Sequence, residues 1–167
     1  VLGDGSGIFG RELSRRCDSY FGIDSHESSR EIAEVIGSVG VDAALHAGSA
    51  HELPFDDGSM DWVVAVSVFE FVDDMTTACN EVARVLRPGG RAVLEMGVRL
   101  PEGAETYRRM EFWYWNEADA RRLVEEAGFV DVSVSYRDVV LNRFSTFEGM
   151  RIVRGTKATA PVEEVVA

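Results

Sequence analysis

The stretch Val1-Leu2-Gly3-Asp4-Gly5-Ser6-Gly7-Ile8-Phe9-Gly10 decides the fold. Two apolar residues run into glycines at alternate positions, and Ile8 to Arg16 then suits a helix with Leu13 facing inward. That is a strand end, a tight turn and a helix start. Glycines in such a turn permit positive φ and let a ligand lie against the backbone, beneath the first amides of the helix. Farther along, Tyr20 to Asp24 reads as a second strand that ends in a carboxylate. An acid in that place suits two hydrogen bonds from a ribose diol. A sharp turn with no ligand would also use these glycines, and it is the acid at the next strand end that favours a nucleoside. Two registers compete: Gly3, Gly5 and Gly7 form G-x-G-x-G, whereas Gly5, Gly7 and Gly10 form the dinucleotide fingerprint G-x-G-x-x-G. The loop does not choose between them.

Outward from this loop, short apolar runs alternate with amphipathic segments, the pattern of a doubly wound α/β domain with a mostly parallel sheet. Ser28-x-x-Glu31 is a capping box opening a helix that Gly37 can close, and Ala43 to Ala47 reads as a third strand. After the turn Asp56-Asp57-Gly58-Ser59, the run Trp62 to Val68 predicts a central strand buried on both faces. Asp73 or Asp74 caps the next helix, with Ala78, Val82, Val85 and Leu86 on one stripe. Pro88-Gly89-Gly90 stops it, and Arg91 to Met96 makes a fifth strand. Gly97 to Trp115 has no clear period. Asn116 caps a helix that carries Leu123, Val124 and Ala127 inward and ends at Gly128. Val130, Val132, Val134 and Tyr136 alternate as a half-exposed strand, and Met150 to Val153 gives a last one. One domain over residues 1–157 is expected, followed by a mobile tail over 158–167.

The 167 residues carry 29 acids against 17 bases, a net charge of -12, which disfavours non-specific binding to nucleic acid or anionic lipid. Lys157 is the only lysine, which reads as a composition bias and not a site. Cys17 and Cys79 lie far apart, without zinc spacing or a disulfide framework, and read as small apolar residues. No run resembles a leader or a membrane span; Trp62 to Val72 is interrupted by Ser67 and Glu70. A cytoplasmic protein is expected. Because Val1-Leu2 is a short remnant of an opening strand, the domain is expected to be truncated at its N-terminus.

Four segments in order carry a resemblance. VLGDGSGIFGREL with FGIDSH, AGSAHELPFDDGSMDWVVAVSVFEFVDD, NEVARVLRPGGRAVLEM and NEADARRLVEEAGFVDVSV are similar to successive motifs of the class I S-adenosylmethionine-dependent methyltransferases, over Val1 to about Lys157. The resemblance implies a Rossmann-like seven-stranded sheet ordered 3-2-1-4-5-7-6, with the last strand antiparallel. It implies S-adenosyl-L-methionine as cofactor, with Gly3, Gly5 and Gly7 cradling it and Asp24 and Ser25 at its ribose. Ser49 and Ala50 would border the adenine, with Leu53 packing nearby and Ser67 close to the transferred methyl. Two positions depart from the family: Val1 and Ser49 stand where it usually has acids, each a polar contact worth about 1 kcal/mol.

Methyl transfer from a sulfonium is an in-line displacement, so positioning dominates and a base is needed only if the acceptor holds a proton. Glu70, after the fourth strand, is the first candidate base; a local cap or ion pair would explain it equally. His51 falls in the adenine-loop region, beside the cofactor and not at the acceptor. His26 and His46 offer no metal-ligand arrangement with other residues, and no metal is expected. Tyr107, Phe112, Trp113, Tyr114 and Trp115 fall where the family often builds its acceptor lid, and an aromatic pocket suits a flat small molecule. A hydrophobic plug at the sheet edge is the alternative. Arg99, Arg108 and Arg109 flank the segment and suit a carboxylate or phosphate, or simply a solvated loop. The sequence leaves the oligomeric state open. The rival functions are a non-catalytic module on the same fold and a nicotinamide-dependent oxidoreductase using Gly5, Gly7 and Gly10.

Overall fold

The computed structural model describes residues 1–3, 13–25, 44–66, 68–69, 71–98, 105, 107–109, 112–142 and 145–159. Leu13 leads into a 3-10 turn at Ser14–Arg16; residues 8–12 of the expected first helix lie outside the described residues. The capping box at Ser28 and the closing Gly37 lie outside the described residues. Strands β1 (Phe21–Asp24) and β2 (Ala44–Ala47) pair in parallel. Strand β3 (Met60–Ala65) pairs in parallel with β4 (Leu86–Val98), and helix α1 (Met75–Val85) connects them.

Leu2 joins these two pairs. Its amide donates to Val64 O at 2.7 Å, its carbonyl accepts from Val66 N at 3.3 Å, and the Gly3 amide donates to Ile23 O at 2.8 Å. Parallel bridges thus run from Leu2 to Ile23 on one side and to Ala65 on the other. Beyond β4 the direction reverses. Strand β8 (Ser145–Lys157) lies antiparallel to β4 and to β7 (Phe129–Asn142). One row runs from β1 to β7: Ile23, Leu2, Ala65, Leu94, Val153 and Val134. All but Val134 are buried, and Val134 packs against the same core.

The helices explain that burial. Asp74 caps α1, its Oδ1 accepting from Thr77 N at 3.0 Å and its Oδ2 from Thr77 Oγ1 at 2.6 Å. Met75, Ala78, Cys79, Val82, Ala83 and Val85 form its inward stripe. Asn116 caps α2 (Glu117–Glu126), accepting from Asp119 N at 2.8 Å, and Ala120, Leu123 and Val124 face inward. Gly128 ends the helix at φ +89°.

Several expectations need correction. The central strand begins at Met60 and ends at Ala65, and it is not buried on both faces throughout: Trp62 is 54% exposed. Its indole stacks with the Arg91 guanidinium, 5.3 Å from the ring centroid, at a register shift between β3 and β4. Pro88-Gly89-Gly90 does not stop the helix, which already ends at Val85; it forms an irregularity inside β4, with Gly89 at φ +77°. A side chain at Gly90 would meet Arg87 O at 2.8 Å, which is why glycine stands there. The aperiodic Gly97–Trp115 segment contains β5 (Tyr107–Arg109) and β6 (Phe112–Tyr114), a hairpin hung on Gly97 through Tyr114. Strands of three residues are too short for an alternation to register. In β7 the alternation slips at Asp131, φ +53°, which leaves Val130 42% exposed. The expected tail begins with Ala158 tied to Gly128 O at 3.2 Å, and residues 160–167 lie outside the described set.

Candidate active site

Parallel strands end together at one edge of a sheet, and that edge is where ligands settle in open α/β folds. Here a cleft of ≈ 340 Å³ opens above the carboxyl ends of Leu2 and β1. Gly3, Asp24 and Ser25 form one wall, Gly48 to His51 a second, and Val68 with Phe71 to Asp73 a third. Its volume lies within the range of about 300–1,000 Å³ typical of small-molecule sites.

Gly3 holds φ +73°, and a Cβ there would collide with Val68 Cγ2 and lie 2.5 Å from Val66 O. The glycine therefore serves both the left-handed turn and the close passage of the segment after β3. Asp24 is half-buried, and its carbonyl accepts from Gly48 N at 3.0 Å, which ties the two walls together. Ser49 and His51 make a tight turn: Ser49 Oγ accepts from His51 N at 3.2 Å and lies 3.1 Å from His51 Nδ1. The other ring nitrogen, Nε2, is buried without a hydrogen-bond partner.

A clamp from α1 fixes that second wall. Glu81 Oε2 accepts from Leu53 N at 2.9 Å, and Arg84 donates to Leu53 O at 3.0 Å, to Phe55 O at 2.8 Å and to Asp57 at 2.8 Å. The two side chains meet through Arg84 Nε and Glu81 Oε1 at 2.7 Å. The Arg84 hydrogen bonds hold the Glu81 carboxyl below its ordinary range and push the guanidinium up. Similarly, hydrogen bonds from Thr77 lower Asp74. Burial alone raises the Cys79 thiol to about 12.

The expected site residues therefore fall into distinct groups. Gly3, Asp24, Ser25, Ser49 and Ala50 meet in one cleft. Leu53 is not among the lining residues: it is 4% exposed in the core, two residues beyond the wall that ends at His51, and its backbone bonds Glu81 and Arg84. Gly5, Gly7, Ser67 and Glu70 lie outside the described residues. Tyr107, Phe112, Trp113 and Tyr114 are placed by their backbone on the β5–β6 hairpin, and Trp115 packs half-buried against the core. Sequence reasoning missed the cleft wall formed by Phe71, Val72 and Asp73. A phenylalanine at 71 beside Asp73, a few residues past the apolar run of β3, is the signal that could have shown it; Phe71 is 45% exposed. It also missed Glu81 and Arg84, whose (i, i+3) spacing marks a pair but not its target. Among the described residues no group of three His, Cys, Asp or Glu could hold a metal ion.

Residues 1–94 match the family described as "Methyltransferase domain". An uncharacterized methyltransferase of Mycobacterium sp. (strain KMS) is 39% identical over 101 residues, 59% of this chain and 38% of that protein. The demethylmenaquinone methyltransferase of Staphylococcus aureus (strain JH9) is 27% identical over 140 residues, 68% of this chain and 58% of its own length. A crystal structure of a SAM-dependent methyltransferase from Methanosarcina mazei superposes with a TM-score of 0.75 at 22% identity, covering 95% of this chain and 91% of that one. The chain belongs to the class I S-adenosylmethionine-dependent methyltransferase family. Its fold is the Rossmann-like α/β fold of that family, and it spans less than two thirds of the length of these curated relatives. The family's cofactor is S-adenosyl-L-methionine, and the cleft fits such a group: it pairs carboxylates at Asp24 and Asp73 with an unpartnered imidazole nitrogen at His51.

Proposed function

We propose that the protein transfers a methyl group from S-adenosylmethionine to a small-molecule acceptor by in-line displacement. The observation that carries this reading is the meeting of Gly3, Asp24 and Ser49 in one cleft at the carboxyl ends of parallel strands. When bound, the cofactor supplies an electrophilic methyl on a sulfonium. The backbone of Gly3 would lie along it, with Gly5 and Gly7 assigned the same role by their place in the glycine loop. Asp24 accepts from the ribose hydroxyls, with Ser25 beside it. Ser49 and Ala50 border the adenine, where His51 Nε2 offers a donor or an acceptor according to its tautomer. Asp24 and Asp73 give the cleft the sign that favours a cationic ligand. Ser67 would serve near the methyl, and Glu70 would take a proton if the acceptor carries one; both lie outside the described residues. The hairpin aromatics and Trp115 cover the acceptor.

The same reading takes the sheet as seven strands ordered 3-2-1-4-5-7-6, with Leu2 counted as the first; the bridges of Leu2 to Ile23 and Ala65 and the antiparallel β8 support it. The name of the staphylococcal relative supports a small-molecule acceptor. The free thiols of Cys17 and Cys79 support a cytoplasmic setting. One observation favours the non-catalytic alternative: Ser49 Oγ, at the adenine position, is already engaged by His51. The test is transfer of label from methyl-tritiated S-adenosylmethionine into a small-molecule metabolite extract. Transfer lowered at least tenfold by Asp24→Ala is expected. Cofactor binding with no label in any small molecule would overturn the reading.

A further inference from the structure

We propose that Arg151 binds a carboxylate on the methyl acceptor, an assignment that rests on the methyltransferase reading above. Arg151 is 1% exposed and is the buried charged side chain among the described residues. Its Nε and Nη1 have no hydrogen-bond partner among the described residues. A guanidinium cannot shed its charge as a lysine can, so a buried one without an anion is costly to the fold unless something completes it. Its guanidinium carbon lies 5.5 Å from the centroid of the Tyr136 ring. The Tyr136 hydroxyl donates to Glu117 Oε2 at 2.8 Å, at the start of α2, which holds the ring in place.

The strand registers place this cation. Val153 and Val134 belong to the buried row through Leu2, Ala65 and Leu94. Arg151 pairs with Tyr136 two residues farther toward the carboxyl ends of the parallel strands, the edge where the cofactor cleft opens. Across the sheet it lies three strand spacings from Leu2, about 14 Å. The cofactor cleft occupies the Leu2 and β1 side, so Arg151 falls on the far side of β4, the edge of β4 opposite the one that carries the hairpin hung on Gly97. On this proposal the acceptor extends from the cleft past the carboxyl end of β4, so that its carboxylate meets Arg151. One buried base matches one negative charge, and its planar fork matches a carboxylate in particular. The net charge of -12 gives an anion no general attraction, so a specific buried cation has to supply it.

The test uses benzoate, its neutral counterpart benzamide and phenyl phosphate, titrated by calorimetry into the protein with and without S-adenosylhomocysteine. Benzoate is expected to bind at least tenfold more tightly than benzamide, and no less tightly than phenyl phosphate. Arg151→Met is expected to abolish that preference, to leave S-adenosylhomocysteine affinity unchanged, and to melt no lower than the parent because a buried cation is gone. Arg151→Lys, which keeps charge without the fork, should lose most of the preference and serves if the methionine variant does not fold. Equal binding of benzoate and benzamide, a preference that survives in both variants, or tighter phenyl phosphate would overturn the assignment. Failure of S-adenosylhomocysteine to bind while the benzoate preference persists would strike the cofactor reading and leave the carboxylate site standing.

Discussion

Replacing Arg84 with methionine tests how the cleft wall is held. Arg84 Nη2 donates to Leu53 O and Nη1 to Phe55 O, at 3.0 and 2.8 Å, and the guanidinium also meets Glu81 and Asp57. The Arg84 and Glu81 side chains are 31% and 17% exposed, between a surface pair and a buried one. Exposed pairs contribute about 0–1 kcal/mol, and breaking a buried pair costs about 3–5. Two carbonyls that recover water only in part place Arg84→Met in between, at about 2 kcal/mol. In a chain of this length that is a loss of about 4–8 °C in melting temperature. Arg87→Met is the control. Its pair with Asp61 is 2.6 Å long, but the side chains are 55% and 70% exposed, so it should lose under about 1 kcal/mol. Urea unfolding of the three proteins reads the difference, with an unchanged m-value expected. Equal losses in the two variants, or a loss under about 0.5 kcal/mol in Arg84→Met, would refute the clamp.

Other expectations follow from the same geometry. Gly3→Ala should destabilise by about 2–4 kcal/mol in urea, from positive φ and the collision with Val68 and Val66 O. In native protein one thiol, the exposed Cys17, should react with a thiol reagent while buried Cys79, raised to about 12, does not; in urea both should react. Glu81 is lowered in the fold from an ordinary 4.5, so its contribution is complete above that value and is lost as pH falls through the folded one. Melting temperature should therefore drop below about pH 4.5, and Glu81→Gln should show a shallower acid limb by calorimetry.

Local chemistry was the most legible part of the sequence. Asn116 and Asp74 cap helices because their side chains suit orphan amides, and Gly3 and Gly128 adopt positive φ where the chain must turn. Asp24 and Ser49 reach one cleft because parallel strands end on the same edge. Features that depend on partners distant in sequence were hidden. Arg84 looks like one half of an (i, i+3) pair until residues 53–57 fold back on it. Leu53 gives no sign in the sequence that its backbone N–H and carbonyl are held by Glu81 and Arg84, 28 and 31 residues away. Trp62 looks buried by composition but lies over Arg91 at a register shift that no periodicity announces. Arg151 in a strand gave no hint of burial, because only the pairing of β8 between β4 and β7 encloses it.

The central claim is that the cleft beside Gly3 and Asp24 holds the cofactor, and titration of S-adenosylhomocysteine by calorimetry tests it most directly. The account predicts micromolar binding that Asp24→Ala weakens by about two orders of magnitude, the loss of two hydrogen bonds to a charged acceptor. Absence of binding, or binding that Asp24→Ala leaves unchanged, would contradict it.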